Sequence, residues 1–403
     1  FDFMNAVNHF LERHEFERSL NATYVALIPK KPGATELRDF RPISLIGGVY
    51  KIFAKLLAER VKKVISKLVN KHQMAFIQGR QILDAALIAS ECVDSRIKGE
   101  TPGIMCKLDI EKAYDHVNWD FLINILRQMG FGEKWLKWIG FCIKTVRFSI
   151  LINGEPAGFF PSERGLRQGD PLSPFLFILA MEGLNSMIRV ASQKKWLKGF
   201  KVGNQAGEDL QICQLLYADD TVIFCDAKAE QVCFIRIILV IFEAVSGLSV
   251  NWRKSSMFQV KEVANIQCLA NILSCKIENL PTTYLGMPLG NNHKELEIWD
   301  GIVEKTEKKL ATWKTQYLSL GGRITMINSV LDALPTYVMS LFPLPAKVED
   351  RLDKLRRDFL WLGNKEGKGT HLVKWQTAQL IKKSGGLGIK NLAAHNKSMM
   401  MKW

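Results

Sequence analysis

Apolar residues recur along the chain with two spacings, one typical of strands and one typical of helices. A short apolar run at residues 24–28 predicts a strand that ends at Pro29. Helical spacing over residues 51–71 predicts a long helix, and residues 119–129 predict another that stops at Gly130. Strands and helices are therefore mixed from the start of the chain.

Two predicted hairpins carry strong turn signals. Asn153 and Gly154 separate apolar runs at residues 147–152 and 155–160, and this dipeptide is typical of a two-residue hairpin loop. Residues 211–225 form two apolar runs around one acidic pair. Antiparallel pairing is therefore expected in at least two places.

The middle of the chain adds two further helices. Ser173 is predicted as an N-cap with Pro174 at the first helical position, and an apolar helix follows to about residue 188. Residues 228–245 predict a second helix. Residues 248–252 alternate between apolar and polar positions and predict a strand.

Beyond about residue 295 the pattern becomes mainly helical. Residues 299–313 and 323–331 are amphipathic, and Pro335 interrupts the pattern after them. We therefore expect an α+β part followed by a second, all-helical unit, with the boundary near residues 280–295.

The composition of the chain indicates which class of partner it binds. The 403 residues are 47% hydrophobic, which is enough for a sizeable core, and 55 Lys and Arg against 40 Asp and Glu give a net charge of +15. Such a charge favours a polyanion, with nucleic acid as the leading candidate. The apolar runs are short for a membrane span, so no membrane association is predicted.

The helix predicted at residues 51–71 concentrates positive charge, in Lys51, Lys55, Arg60, Lys62, Lys63, Lys67 and Lys71. These side chains form either a phosphate-binding surface or a solvated face.

The eight cysteines show no Cys-x-x-Cys pair and no neighbouring His at metal-ligand spacing. They are predicted to be reduced and mostly buried thiols. The sequence begins at Phe1 without a signal-peptide pattern, which is typical of an excerpt or of a truncated gene product. We expect an intracellular location, in the nucleus or the cytoplasm.

Two acidic positions stand at predicted strand ends. Asp109 lies within the apolar run at residues 103–110, and Asp219 and Asp220 separate the two runs at residues 211–225. Carboxylates are ligands that Mg²⁺ prefers, and paired metal ions can serve phosphoryl transfer. An ordinary hairpin turn explains the acidic pair equally well, since Asp favours turns.

A segment rich in glycine and proline, residues 165–174, lies between the two acidic positions. Its glycines allow close approach of the backbone to a ligand, and Arg167 and Gln168 offer hydrogen-bond donors to a phosphate or a base. Taken alone, the segment is also compatible with a structural turn.

Motifs in a fixed order then resemble the reverse transcriptase of non-LTR (LINE-type) retrotransposons of the plant kind. The resemblance covers nearly the whole chain, and its most specific segments are DIEKAYD at 109–115, GLRQGDPLSP at 165–174 and YADD at 217–220. The other matching segments are residues 21–31, 38–50, 73–84, 246–255 and 284–290.

The resemblance implies an α+β fold with right-hand architecture. Residues 1–104 correspond to the N-terminal part of the fingers, 105–290 to the palm with its antiparallel sheet and an inserted fingers segment, 291–345 to a helical thumb and 346–403 to a connector. The implied activity is RNA-directed DNA polymerisation in retrotransposition. Its partners are an RNA template, a DNA primer and deoxynucleoside triphosphates, its cofactors are two Mg²⁺ ions with Mn²⁺ as a substitute, and the oligomeric state is left open.

The same resemblance assigns the metal site. Asp109 and Asp219 are the implied principal ligands, Asp220 is the neighbouring acid, and the carbonyl of Ile110 completes one metal shell. Lys254 matches a lysine that protonates pyrophosphate. These assignments are expectations carried over from the motifs.

A second set of residues is implied to bind the nucleotide. Lys30 and Arg41 match fingers positions that grip the triphosphate, and Gln168 and Gly169 match residues beside the incoming base and template. Tyr114 matches the aromatic residue that excludes a ribose 2′-hydroxyl, and the family often has Phe there. The alternative for Tyr114 is a core aromatic, and for the two cations a solvated surface charge.

Two other functions stay open on the sequence. One is a catalytically inactive transposon remnant that binds nucleic acid. The other is a related template-directed RNA polymerase, which Tyr114 and the motif at residues 217–220 disfavour.

Overall fold

The computed structural model describes residues 2–203, 210–291, 295–314, 318–363 and 371–402. The chain forms two compact units, residues 1–280 and 281–403. Each unit is described by itself, and the acidic positions predicted from the sequence all lie in the first.

The first unit combines helices with two larger sheets. Its helices are α1 (Asp2–Arg13), α2 (Gly48–Leu68), α3 (Ile82–Lys98), α4 (Trp119–Gln128), α5 (Glu133–Lys144), α6 (Ser173–Gln193), α7 (Ala229–Ser246) and α8 (Ile266–Leu273). Its strands are β1 (Ala22–Pro29), β2 (Phe40–Ile46), β3 (Gly103–Leu108), β4 (Arg147–Ile152), β5 (Glu155–Pro161), β6 (Phe200–Val202), β7 (Leu210–Ile212), β8 (Gln214–Tyr217), β9 (Asp220–Asp226), β10 (Ser256–Val260) and β11 (Lys276–Glu278). The predicted α+β class is confirmed.

A five-stranded sheet in the order β11-β10-β3-β9-β8 forms the centre of the first unit. Strand β3 is buried over almost its whole length, as expected of a strand covered on both faces. It pairs antiparallel with β9 and with β10. The pairing of Leu108 with Thr221 brings the end of β3 and the β8–β9 turn to the same edge of the sheet.

A four-stranded sheet in the order β2-β1-β4-β5 lies in the same unit. Strand β1 pairs antiparallel with β2 and parallel with β4. The β4–β5 hairpin forms where predicted, with β5 one residue longer than expected, and its turn residues Asn153 and Gly154 have φ of 53° and 90°. Two positive φ angles are what a type I′ turn requires, so the local prediction is confirmed.

The predicted strand at residues 248–252 is wrong. Only Val250 of that segment pairs, in an isolated bridge with Ile110, and a turn follows before strand β10 begins at Ser256. Alternation identifies a half-buried segment, but a strand also needs a partner over its length.

The start of α6 also differs from the prediction. Ser173 is the first helical residue, and Leu172 occupies the N-cap without a side-chain hydrogen bond. The carboxylate of Asp170 instead accepts the N–H of Leu172 at 2.9 Å. The helix is 21 residues long and apolar enough to cross a membrane by length and composition, but 67% of its apolar window is buried inside the protein. It is therefore a core helix.

The second unit has a short hairpin, β12 (Thr282–Tyr284) and β13 (Met287–Leu289), followed by helices. These are α9 (Asp300–Lys314), α10 (Leu320–Met326), α11 (Thr336–Met339), α12 (Ala346–Trp361), α13 (Trp375–Ala378) and α14 (Leu392–Met400), with a π-helical turn at Ile327–Leu331. Arg356 and Asp332 form a buried ion pair in this unit. The finer division into thumb and connector stays a prediction.

Candidate active site

The acidic residues predicted from the sequence meet at one edge of the five-stranded sheet. Asp109 follows β3, and its side chain is 47% exposed. Asp219 lies in a two-residue turn, because Tyr217 pairs with Asp220 across it. Both Asp219 and Asp220 are exposed. The fold thus gathers carboxylates from two segments that lie more than a hundred positions apart in the sequence.

These carboxylates affect one another electrostatically. Partial burial raises the pKa of Asp109, the Lys254 ammonium opposes this, and the negative charge of Asp219 raises the pKa further. Partial desolvation by the surrounding protein also raises the pKa of Asp220, although part of its side chain is exposed to solvent, and the charge of Asp219 adds to that rise. Carboxylates that repel one another at a partly buried edge favour a cation between them.

The donor set fits Mg²⁺. Over the described ranges, no three His, Cys, Asp or Glu side chains form a ready-made metal cluster. Mg²⁺ is usually held by one or two protein carboxylates together with substrate phosphates and water rather than by a complete protein cage. Asp109 and Asp219 therefore suit a metal whose remaining ligands come with the substrate.

The main chain of Ile110 is oriented toward this edge. The residues flanking Ile110 make the two hydrogen bonds of its bridge to Val250, at 2.9 and 2.8 Å. In such an antiparallel bridge the paired residues direct their own amide and carbonyl groups away from each other. The carbonyl of Ile110 consequently points to the side of β9, which begins at Asp220.

Lys254 lies beside Asp109. Its Nζ is 3.9 Å from Oδ2 of Asp109, and its side chain is 70% exposed. The turn that carries Lys254 is fixed to the end of β3, because the N–H of Asn251 donates to the carbonyl of Asp109 at 2.8 Å. The N–H of Asp109 in turn donates to Oγ of Ser255 at 3.1 Å.

Tyr114 is half-buried next to the acidic edge. Its ring stacks on Phe177 with 5.1 Å between centroids and an interplanar angle of 20°. Burial raises the pKa of Tyr114 to about 12, and the charge of Asp219 contributes to the rise. The ring therefore combines a packing contact on one side with proximity to the acidic edge.

Gln168 lies near Asp115, an acid that is not among the site residues predicted from the sequence. Burial raises the pKa of Asp115, and the nearby Gln168 amide and Lys30 ammonium oppose that rise. Lys30 itself is exposed and donates to the carbonyl of Arg38 at 2.8 Å. Asp115 is the last residue of the DIEKAYD motif, and its place in that motif is the sequence feature from which it could have been predicted as a site residue.

The backbone at position 169 requires glycine. Its φ is +106°, and a Cβ there would lie 3.1 Å from the carbonyl oxygen of Ser44 on β2. The N–H of Ser44 donates to the carbonyl of Gln168 at 2.8 Å, so the loop is attached to β2. Arg41 lies on the same strand, opposite Ile28, with an exposed side chain, and its role stays a prediction.

The expectation that Arg167 offers donors to a ligand is wrong. Its guanidinium is buried over the Tyr50 ring, with Cζ 3.9 Å from the ring centroid. It donates to Oδ1 of Asn21 at 2.7 Å and to Oγ1 of Thr23 at 3.1 Å, and it pairs with Asp170 at 2.9 Å. Arg167 therefore ties the loop to β1 and α2.

Replacing Arg167 by Met should lower the free energy of unfolding by about 3–5 kcal/mol, because the buried carboxylate of Asp170 loses its cation. Urea denaturation of the whole chain measures the change. Arg164→Met is the matched control, since Arg164 is exposed close by and should change the value by about 0.5 kcal/mol or less. Equal unfolding free energies for the two variants would refute a structural role.

Comparison with known proteins agrees with the geometry. Residues 28–289 match the family model described as reverse transcriptase (RNA-dependent DNA polymerase). A 149 kDa protein of transposon TX1 from Xenopus laevis is 27% identical over 401 residues, which cover 96% of this chain and 29% of that protein. The Pol polyprotein of the type-2 retrotransposable element R2DM from Drosophila melanogaster is 26% identical over 386 residues, covering 93% of this chain and 34% of that protein.

Among solved structures, the chain resembles apo telomerase from Candida tropicalis with a TM-score of 0.49 and 10% identity, over 99% of this chain and 71% of that one. The chain spans about a third or less of the two transposon proteins it matches.

Proposed function

Since the chain belongs to the reverse transcriptase family, we propose that it extends the 3′-hydroxyl of a DNA primer with deoxynucleotides on an RNA template, in the retrotransposition of a non-LTR element. The observation that carries the proposal is the meeting of Asp109 and Asp219 at one sheet edge, with Tyr114 and Lys254 beside them. A plant origin stays a prediction, since these two relatives come from Xenopus laevis and Drosophila melanogaster.

Asp109 and Asp219 would hold two Mg²⁺ ions, or Mn²⁺ in their place, with Asp220 next to them and the Ile110 carbonyl as a further oxygen ligand. When bound, the ions supply activation of the attacking hydroxyl and charge neutralisation of the leaving pyrophosphate. The mutual repulsion of the three carboxylates supports this assignment, because a dication relieves it.

The nucleotide is proposed to lie between the acidic edge and the four-stranded sheet. Lys30 follows β1 and Arg41 lies on β2, and both are exposed cations available to a triphosphate. Gln168 and Gly169 are held against β2 through Ser44, which supports a place beside the incoming base.

Lys254 is proposed to give a proton to the pyrophosphate leaving group. A general acid must lie within reach of the atom that it protonates. The position of the ammonium beside Asp109 supports this role, since Asp109 would hold a metal ion at the same site.

Helix α2 is proposed to contact the phosphates of the template and primer. Its apolar side is buried, and its cations project from the exposed side. They are Lys51, Lys55, Arg60, Lys62, Lys63 and Lys67, with Lys71 following the helix. An intracellular location, in the nucleus or the cytoplasm, agrees with such partners and stays a proposal.

Binding of a primer–template should weaken at least about tenfold between about 50 and 200 mM salt, because each neutralised phosphate releases condensed counterions. Replacing Lys55, Lys63 and Lys67 by Gln should weaken the salt dependence of binding. The slope of log K against log salt concentration should become shallower by about 0.9 for each phosphate that the variant leaves without a cation. The same change at Lys134 and Lys137, exposed on α5, is the control. A dissociation constant that stays the same across this salt range would contradict the surface.

Extension of a labelled DNA primer on an RNA template, with Asp219→Ala as the inactive control, tests the proposed function. Deoxynucleotide incorporation by the wild type alone supports it. Binding of the primer–template without extension would identify the chain as a catalytically inactive remnant.

A further inference from the structure

The segment that precedes α3 lies along the open edge of β8. Gln73 bridges Leu216 in parallel, the N–H of Met74 donates to the carbonyl of Leu216 at 2.9 Å, and the N–H of Leu216 donates to the carbonyl of His72 at 2.9 Å. The side chain of Gln73 is completely buried. This segment therefore covers the strand that leads directly to the acidic turn.

The amide oxygen of Gln73 reaches into the turn itself. It accepts the N–H of Ala218 at 3.1 Å and the N–H of Ala75 at 3.0 Å. Ala218 precedes Asp219, is 7% exposed, and has φ of +56°, which a residue other than glycine rarely adopts. Such a conformation persists only where the surroundings hold it. Gln73 provides the acceptor that a buried N–H requires in this conformation.

Arg80 fixes the segment that carries Gln73. Its guanidinium donates to the carbonyls of Asn70 at 2.6 Å and Val69 at 3.2 Å, and also to the carbonyl of Gln73. One cation thus closes the loop between α2 and α3. Gln73 is held in place by contacts outside the acidic turn, so it can impose a position on that turn.

We propose that Gln73 is a positioning residue, which holds the turn at Ala218 so that the Asp219 carboxylate faces Asp109. The proposal rests on the proposed function, because it assigns Gln73 a part in the same catalytic site. Gln73 does not touch the substrate; it acts through the main chain of the turn.

Gln73→Met tests the proposal, since Met has a similar length but offers no strong acceptor. We expect kcat for primer extension to fall about tenfold to a hundredfold, while Kd for primer–template stays within about twofold. Gln214→Met is the matched control. Gln214 is equally buried on β8, but its amide donates to Asn185 rather than to the turn, so kcat should change less than about threefold.

Gln73→Glu keeps an accepting carbonyl oxygen, because a carboxyl group at this completely buried position favours its uncharged form, and it should recover most of the lost kcat. A second measurement is independent of activity: exchange of the Ala218 amide hydrogen should be slow in the wild type, in Gln73→Glu and in Gln214→Met, and faster in Gln73→Met.

Each outcome has a separate meaning. Equal losses of kcat in the Gln73→Met and Gln214→Met variants, or an Ala218 exchange rate that Gln73→Met leaves unchanged, would overturn the positioning role. If the wild type did not extend primers but the four proteins showed the expected exchange pattern, the proposed function would be refuted, whereas the hydrogen bond between Gln73 and the turn would be confirmed.

Discussion

Replacing Asp109 or Asp219 by alanine will abolish nucleotide incorporation and leave primer–template binding almost unchanged. The two carboxylates lie at the sheet edge where a metal is proposed, whereas the cations proposed to bind phosphate lie on α2. Loss of a metal ligand removes transition-state charge stabilisation, and loss of a single acid leaves the basic surface intact. Single-turnover extension and equilibrium binding, measured on the same preparations, separate the two effects.

The control for this experiment is Asp120→Ala. Asp120 lies on α4 with its side chain 83% exposed, paired with Lys144. The Asp120→Ala variant should extend primers at the wild-type rate. If an Asp109 or Asp219 variant retained about a tenth or more of wild-type turnover, a loss in transition-state stabilisation of about 1.4 kcal/mol or less, the metal-ligand assignment would be wrong.

Replacing Tyr114 by alanine will raise the use of ribonucleotides relative to deoxynucleotides by about tenfold to a few hundredfold. A ring under the incoming sugar collides with a 2′-hydroxyl, and a tight site absorbs added volume only at a cost of about 1–3 kcal/mol. The ring of Tyr114 is held by stacking on Phe177 and lies near Asp219. A ring that excludes the 2′-hydroxyl must lie beside the proposed metal site, where the sugar of the incoming nucleotide binds.

Tyr114→Phe is the matched control, because Phe keeps both the bulk and the stacking on Phe177 and removes only the hydroxyl. The measured quantity is the ratio of kcat/KM for the two sugars in each variant. A Tyr114→Ala enzyme that loses both rates equally, with the ratio unmoved, would show that the ring serves only to pack the core.

Local signals were sufficient where a structure depends on neighbours in the sequence. The β4–β5 hairpin was predicted from Asn153 and Gly154 because a two-residue turn sets its own geometry. The acidic turn between β8 and β9 was recognisable for the same reason, since two apolar runs flank it directly.

Distant partners explain what the sequence did not predict. Arg167 was expected to face a ligand, but its hydrogen-bond partners Asn21 and Thr23 lie 146 and 144 positions away. The hydrogen bond between Gln73 and Ala218 spans 145 positions. Hydrogen-bonding capacity is visible in a residue type, whereas the partner that satisfies it is set by tertiary structure.

The parallel pairing of β1 with β4 also bears on how the chain is made. Ala22 to Val25 pair with residues 147–150, so β1 and β2 leave the ribosome long before the strand that covers their open edge. At about 5–20 residues per second, that edge waits on the order of ten seconds for β4 to be synthesised. An unpaired strand edge is a template for association with other chains. The nascent protein is therefore exposed to aggregation in this interval, and fragments that end before β4 will be less soluble than the complete first unit.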